Sequence, residues 1–136
     1  MKRLAVALAA LCLTCGCSVQ QMRMALHLNR PVAGQQVACA QWLGATRLAG
    51  FSEGEIPNLH RIMYRESRCD PGAYQVSRNR DHLPDRCLLQ IHATWDAQLV
   101  VLGIIRFPDD LFNPQVCLRA ARYVLASQGW SAWATR

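Results

Sequence analysis

The residue best placed to do chemistry in this chain is Glu66. Leu59, Ile62, Met63 and Glu66 fall at i, i+3, i+4 and i+7, which is one face of a helix spanning about residues 57–67. Three of the four are apolar, and the fourth is a carboxylate at the helix's C-terminal end. Its charged form meets two penalties there, the apolar surroundings and the negative end of the helix dipole. The pattern therefore predicts a carboxylic acid with a raised pKa, a group that keeps a proton it can later give away. Arg61 and Arg65 are placed on other, solvent-facing sides of this helix, and the competing role for Glu66 is a helix-end glutamate paired with Arg65, Arg68 or another arginine. Ser67 is read as a C-cap or a support for Glu66, since no His or acid partner is placed to make it a nucleophile. His92 is a lone histidine, a type more often structural than catalytic.

The elements that must position Glu66 are mostly helical. A first helix is expected over residues 37–49, with Val37, Ala40, Leu43 (or Gly44) and Leu48 as a rough apolar face and Gly50 as its C′ glycine. Ser52 and Glu55 have capping-box spacing, and Pro57 suits the first turn of the Glu66 helix. Asp70-Pro71-Gly72 is expected to end that helix, and residues 74–86 to be irregular or a small hairpin. Leu88-Leu89-Gln90-Ile91 is a short apolar segment interrupted by an amide. Thr94 is expected to cap a helix over about residues 95–102, ended by Gly103. Pro108-Asp109-Asp110 reads as a turn. Asn113-Pro114 is an N-cap and N1 pair opening a last helix to about Gln128, with Cys117, Ala120, Ala121, Val124, Leu125 and Gln128 inward and Gly129 as its C′ residue. The fold class is α+β, predominantly helical, with one small irregular or β lobe.

Composition bounds the rest. With 136 residues, 51% hydrophobic and 18% charged, the chain is one globular domain's worth, and it has no apolar run of the roughly 18 residues a membrane span needs. Lys2 and Arg3 followed by the short apolar stretch Leu4–Leu13 read as an export leader over residues 1–16. Leu13-Thr14-Cys15-Gly16-Cys17 is similar to a bacterial lipobox, which makes Cys17 a candidate for lipidation and membrane anchoring. Residues 17–36 are then a connector and residues 37–136 the working domain. The expected location is exported: secreted, periplasmic or an envelope lipoprotein. The formal net charge of +6 comes from scattered residues with no Lys/Arg block, so nucleic acid is not an expected partner; the anionic cell wall is. Seven cysteines less three in the leader region leave Cys39, Cys69, Cys87 and Cys117, which in an oxidising compartment form two disulfides with three possible connectivities. These four form no C-x-x-C pair, the chain has no H-x-x-x-H pair, and no metal or other cofactor is expected.

Glu66-Ser67, then Cys87-Leu88-Leu89-Gln90-Ile91, then Leu111-Phe112-Asn113-Pro114 and a helix closing in Gly129-Trp130 together resemble the lysozyme-like superfamily. Within it, the chain is most similar to bacterial and phage soluble lytic transglycosylase and lysozyme domains. The resemblance spans roughly residues 39–133. It implies a lysozyme-like fold, with a groove between helical domain and β lobe that binds peptidoglycan glycan strands. It also implies Glu66 as the general acid for cleavage of the MurNAc-β-1,4-GlcNAc bond, because a glycosidic oxygen leaves poorly until protonated. Gln90, with Ile91 and His92 after it, would line the groove, and Tyr123 on the last helix would face the acid. The family usually has Gly at position 87 and Asn at position 117. A Cys87–Cys117 disulfide would account for both departures and leave Cys39–Cys69 as the second bridge.

The second carboxylate decides the reaction. Retaining hydrolases place one roughly 5 Å from the acid, whereas lytic transglycosylases lack it and use the substrate's own N-acetyl group and 6-hydroxyl. Asp85 has the offset before Cys87 that animal-type lysozymes use for their second acid, and Asp81 is a weaker alternative. The competing role for Asp85 is a loop aspartate paired with Arg86 or Arg80. Transglycosylase is the leading expectation and retaining lysozyme the next. A wall-binding module that lost turnover and a structural envelope component are alternatives from other classes.

Overall fold

A computed structural model describes residues 21, 24, 27, 28, 37–76 and 81–134. The leader and Cys17 lie outside these residues. A short 3-10 helix, Ala40–Trp42, runs into α1 (Leu43–Leu48), followed by α2 (Ile56–Ser67). Three two-residue strands come next, β1 (Tyr74–Gln75), β2 (Asp85–Arg86) and β3 (Ile91–His92). A 3-10 turn, Ala93–Trp95, leads into α3 (Asp96–Val101); another, Pro108–Phe112, leads into α4 (Pro114–Gln128), and a last one, Gly129–Trp133, closes the domain. The strands form one antiparallel sheet in the order β1-β2-β3, with Tyr74 opposite Arg86, Gln75 opposite Asp85, and Asp85 opposite His92. The domain is thus α+β and predominantly helical, with a β hairpin of β1 and β2, one of the two forms expected over residues 74–86.

The α2 stripe is observed: Leu59, Ile62 and Met63 are buried, with Ile56 and His60 beside them. Pro57 sits in the helix's first turn, where its missing N–H costs nothing. Ser52 and Glu55 form only half of the expected box. Glu55 reaches back to the Ser52 amide at 2.7 Å, but the Ser52 hydroxyl donates to the same carboxylate oxygen at 2.8 Å instead of accepting from the helix. The Ser52 amide holds the Glu55 carboxyl below its usual pKa, with Arg122 of α4 adding to the effect at 2.8 Å. Asn113 caps α4 as its sequence suggests, accepting from the Gln115 and Val116 amides at 3.0 and 3.3 Å.

Three expectations need correction. The first helix is shorter than residues 37–49, and its buried face is Leu43, Gly44 and Thr46, while Leu48 points to solvent. Cys39 is bonded to Cys69, and the Trp42 indole donates to the Cys69 carbonyl at 3.0 Å, so this stretch is drawn into 3-10 geometry before α1 begins. α2 ends at Ser67 as expected, but its stop is Arg68 and Cys69, with left-handed φ values of 55° and 67°, ahead of Asp70-Pro71-Gly72. On α4, Leu118 is buried and Gln128 is exposed, the reverse of its expected inward placement.

Leu43, Leu59, Met63, Leu88, Leu99 and Leu118 lie at the centre of the core, all inaccessible to solvent. Two disulfides cross it, Cys39–Cys69 and Cys87–Cys117, the pairing the resemblance implies. They fit an oxidising, extracytoplasmic environment. Among the described residues, no helix is long and apolar enough to cross a membrane.

Candidate active site

Glu66 ends the buried stripe of α2, and its side chain is only 7% exposed. Its partner is Arg65, whose Nε and Nη2 donate to Oε1 at 3.2 and 2.7 Å. Arg65 is exposed, as expected, and the pair is the one named by the competing reading of Glu66 as a helix-end glutamate held by an arginine. Adjacent positions on a helix do not face each other, yet the long arginine stem carries the guanidinium back to its neighbour. The same Nη2 donates to the Trp133 carbonyl in the closing 3-10 turn. The buried Trp133 indole in turn donates to the Leu89 carbonyl at 2.9 Å. A continuous chain of polar contacts therefore links Glu66 to the Leu-Leu-Gln-Ile segment.

That segment is a tight turn. Gln90 is buried with a φ of 48°, and its amide nitrogen donates to the Ala73 carbonyl at 3.2 Å and the Cys87 carbonyl at 3.1 Å. The amide side chain thus fastens the turn to the start of the β hairpin. Cys87 has a φ of 69°, a conformation that glycine adopts freely and other residues adopt at a cost of about 1–2 kcal/mol. Here the bond to Cys117 holds a cysteine in that conformation. Ile91 is a core residue. Ser67 donates to the Met63 carbonyl at 3.0 Å, closing the helix end as a local support and not as a nucleophile.

Asp85 is buried on β2. Arg86, one of the two partners in the competing reading of Asp85, is bonded to Asp96 at 3.0 Å. Arg80, the other suggested partner, lies outside the described residues. The Glu66 carboxylate is held by Arg65, not by Asp85. Opposite Asp85 in the sheet, His92 is occupied: Nδ1 accepts from the Thr94 amide at 3.3 Å, and Nε2 lies 3.4 Å from Asp81. His92, and not Thr94, is thus the cap leading into α3. Asp81 is held below the usual carboxylate pKa by the Leu83 amide first, and by His92 as well. Tyr123 is half-buried, its ring meeting Trp95 edge-on at 5.8 Å between centroids.

His60 is a buried titratable group that sequence reasoning missed. It is fully buried on α2, and its Nε2 lies 2.9 Å from the Thr46 hydroxyl on α1. Its position one residue after Leu59 and three before Met63 was the available signal, since the buried arc of a helix is wider than a single stripe. Burial pushes its pKa down to about 4, outweighing the opposing effect of the Cys39 backbone. In the unfolded chain the ring takes up a proton near pH 6.5. Its contribution to stability is therefore complete above about pH 6.5 and is lost as the pH falls toward 4, by up to about 3 kcal/mol. Urea unfolding at pH 7.0 and 4.7 should show this drop, and His60→Gln should flatten it; an unchanged slope in the variant would assign the drop to other groups.

A shallow cavity of about 330 Å³ lies elsewhere, lined by Ile104, Arg106, Asp110, Asn113 and Arg119 among others, and it includes none of the residues expected in the site. Comparisons with protein-family models, with curated proteins and with solved structures return no match.

Proposed function

We propose that this protein cleaves the glycan strands of peptidoglycan as a lytic transglycosylase of the lysozyme-like superfamily, with Glu66 as general acid and then base. The observation that carries this reading is a nearly buried carboxylate at the end of an apolar helix stripe, bonded through Arg65 and Trp133 to the Leu-Leu-Gln-Ile turn. In the reaction, Glu66 gives its proton to the oxygen bridging MurNAc and GlcNAc as the C1–O bond breaks. The MurNAc 6-hydroxyl then bonds to C1 and returns its proton to the same carboxylate, leaving a 1,6-anhydro end. One carboxyl suffices because the proton lost in the first step is recovered in the second.

A retaining lysozyme using Glu66 and Asp85 is the second reading, favoured by the burial of Asp85 on β2. Export, with anchoring through a lipidated Cys17, would place either enzyme at its substrate, and the two disulfides agree with that location. Purified cell walls test the reading: wild-type protein should lower the turbidity of a wall suspension. Protein that sediments with the walls without clearing them would mark a binding module instead.

A further inference from the structure

Arginine has only donors, and this restricts where a proton on Glu66 can sit. The Arg65 guanidinium places two N–H groups on Oε1, at 3.2 and 2.7 Å, so Oε1 acts as an acceptor. Among the described residues Oε2 takes part in no hydrogen bond. A neutral Glu66 therefore keeps its hydrogen bonds by carrying the proton on Oε2. Resting on the assignment of Glu66 as the proton donor, we propose that Arg65 is a positioning residue that fixes Oε2 as the proton-bearing oxygen. Trp133 anchors it from the closing 3-10 turn.

The anchoring is what makes this more than a surface pair between sequence neighbours. The Arg65 side chain is 38% exposed, and an arginine held only by an adjacent carboxylate would sample many rotamers. Here Nη2 also meets the Trp133 carbonyl, and Trp133 is itself buried and fixed by its indole bond to Leu89. The guanidinium is planar and its donors are rigidly arranged, so engaging two acceptors defines its orientation and hence that of the carboxyl group. Lysine could reach Oε1 but has no planar fork to hold both acceptors. The same contacts tie the acid to Leu89, one residue before Gln90. A shift of the closing turn would therefore move the proton donor and the Leu-Leu-Gln-Ile turn together.

The test is kinetic, on soluble peptidoglycan glycan strands, with the thermal midpoint of each variant recorded. Arg65→Ala should lower kcat by roughly 10- to 100-fold, the scale of a misplaced catalytic group, with the half-saturation concentration within about twofold of wild type. Arg65→Lys should recover part of that loss, and millimolar guanidinium should partly restore Arg65→Ala. Trp133→Phe, which keeps a ring but removes the indole donor, should also lower kcat. Arg61→Ala, the same loss of charge elsewhere on α2, should leave the rate unchanged. An active wild type with Arg65→Ala at the wild-type kcat, or with a loss confined to half-saturation, would overturn the positioning role while leaving the function in place. An inactive wild type would overturn both. Should Arg65→Ala fail to fold, Arg65→Lys and Trp133→Phe decide: both at the wild-type kcat would refute the proposal.

Discussion

Glu66→Gln is expected to slow wall clearing by about 10²- to 10⁴-fold, the range attributed to a positioned general acid. Glutamine keeps the size of the side chain and an oxygen able to accept from Arg65, but it has no acidic proton for the bridging oxygen. The fold should be untouched, since Leu59, Ile62 and Met63 do the packing on this face of α2 and Glu66 sits only at its end. Thermal unfolding should therefore match wild type within a few degrees. Clearing by the variant at the wild-type rate would remove Glu66 from the chemistry. A variant that is slow but also largely unfolded would assign the loss to stability instead.

The second large effect concerns Cys87–Cys117. Each disulfide closes a loop with a sequence separation of 30, and in the chain-entropy account such a crosslink contributes about 3–4 kcal/mol by restricting the unfolded chain. Replacing Cys87 and Cys117 together by Ala should lower the thermal midpoint by more than about 10 °C. It should also slow catalysis, because the Cys87 carbonyl is a partner of Gln90 and Cys87 holds a left-handed turn. The two bonds should differ toward reductant. Cys87 and Cys117 are both fully buried, whereas Cys69 is only half-buried, so Cys39–Cys69 should open first. Mass mapping of alkylated cysteines after brief exposure to dithiothreitol gives that order, and earlier opening of Cys87–Cys117 would contradict it.

What was legible in the sequence was what depends on neighbours a few residues apart. The α2 stripe, the Asn113-Pro114 start of α4 and the glycines that follow the helices, Gly50 as C′ of α1 at a φ of 87° and Gly129 as the C-cap, one place earlier than expected, of α4 at 66°, follow from local periodicity and backbone preference. What was hidden depends on contacts across the chain. The start of α1 is set by the Cys39–Cys69 bond and the reach of Trp42 to Cys69, which local apolar spacing does not encode. The Glu66–Arg65 pair is between sequence neighbours and was a legible alternative, but the Trp133 carbonyl that shares the guanidinium lies 68 residues away. The His92 ring caps the turn into α3 and pairs with Asp81, contacts that its place after Gln90-Ile91 does not encode. Gln90 illustrates the same division. Its place in the motif was readable, but its amide bonds to Ala73 and Cys87 belong to the folded turn.

The central claim, that Glu66 both gives and recovers the proton in an internal transfer, is tested most directly by digesting purified walls in ¹⁸O-labelled water and weighing the released muropeptides. An internal transfer produces 1,6-anhydro ends that contain no label and disappear in the Glu66→Gln digest. Reducing ends carrying one ¹⁸O each would contradict the claim, and would point to a hydrolase if their formation also fails in Asp85→Asn.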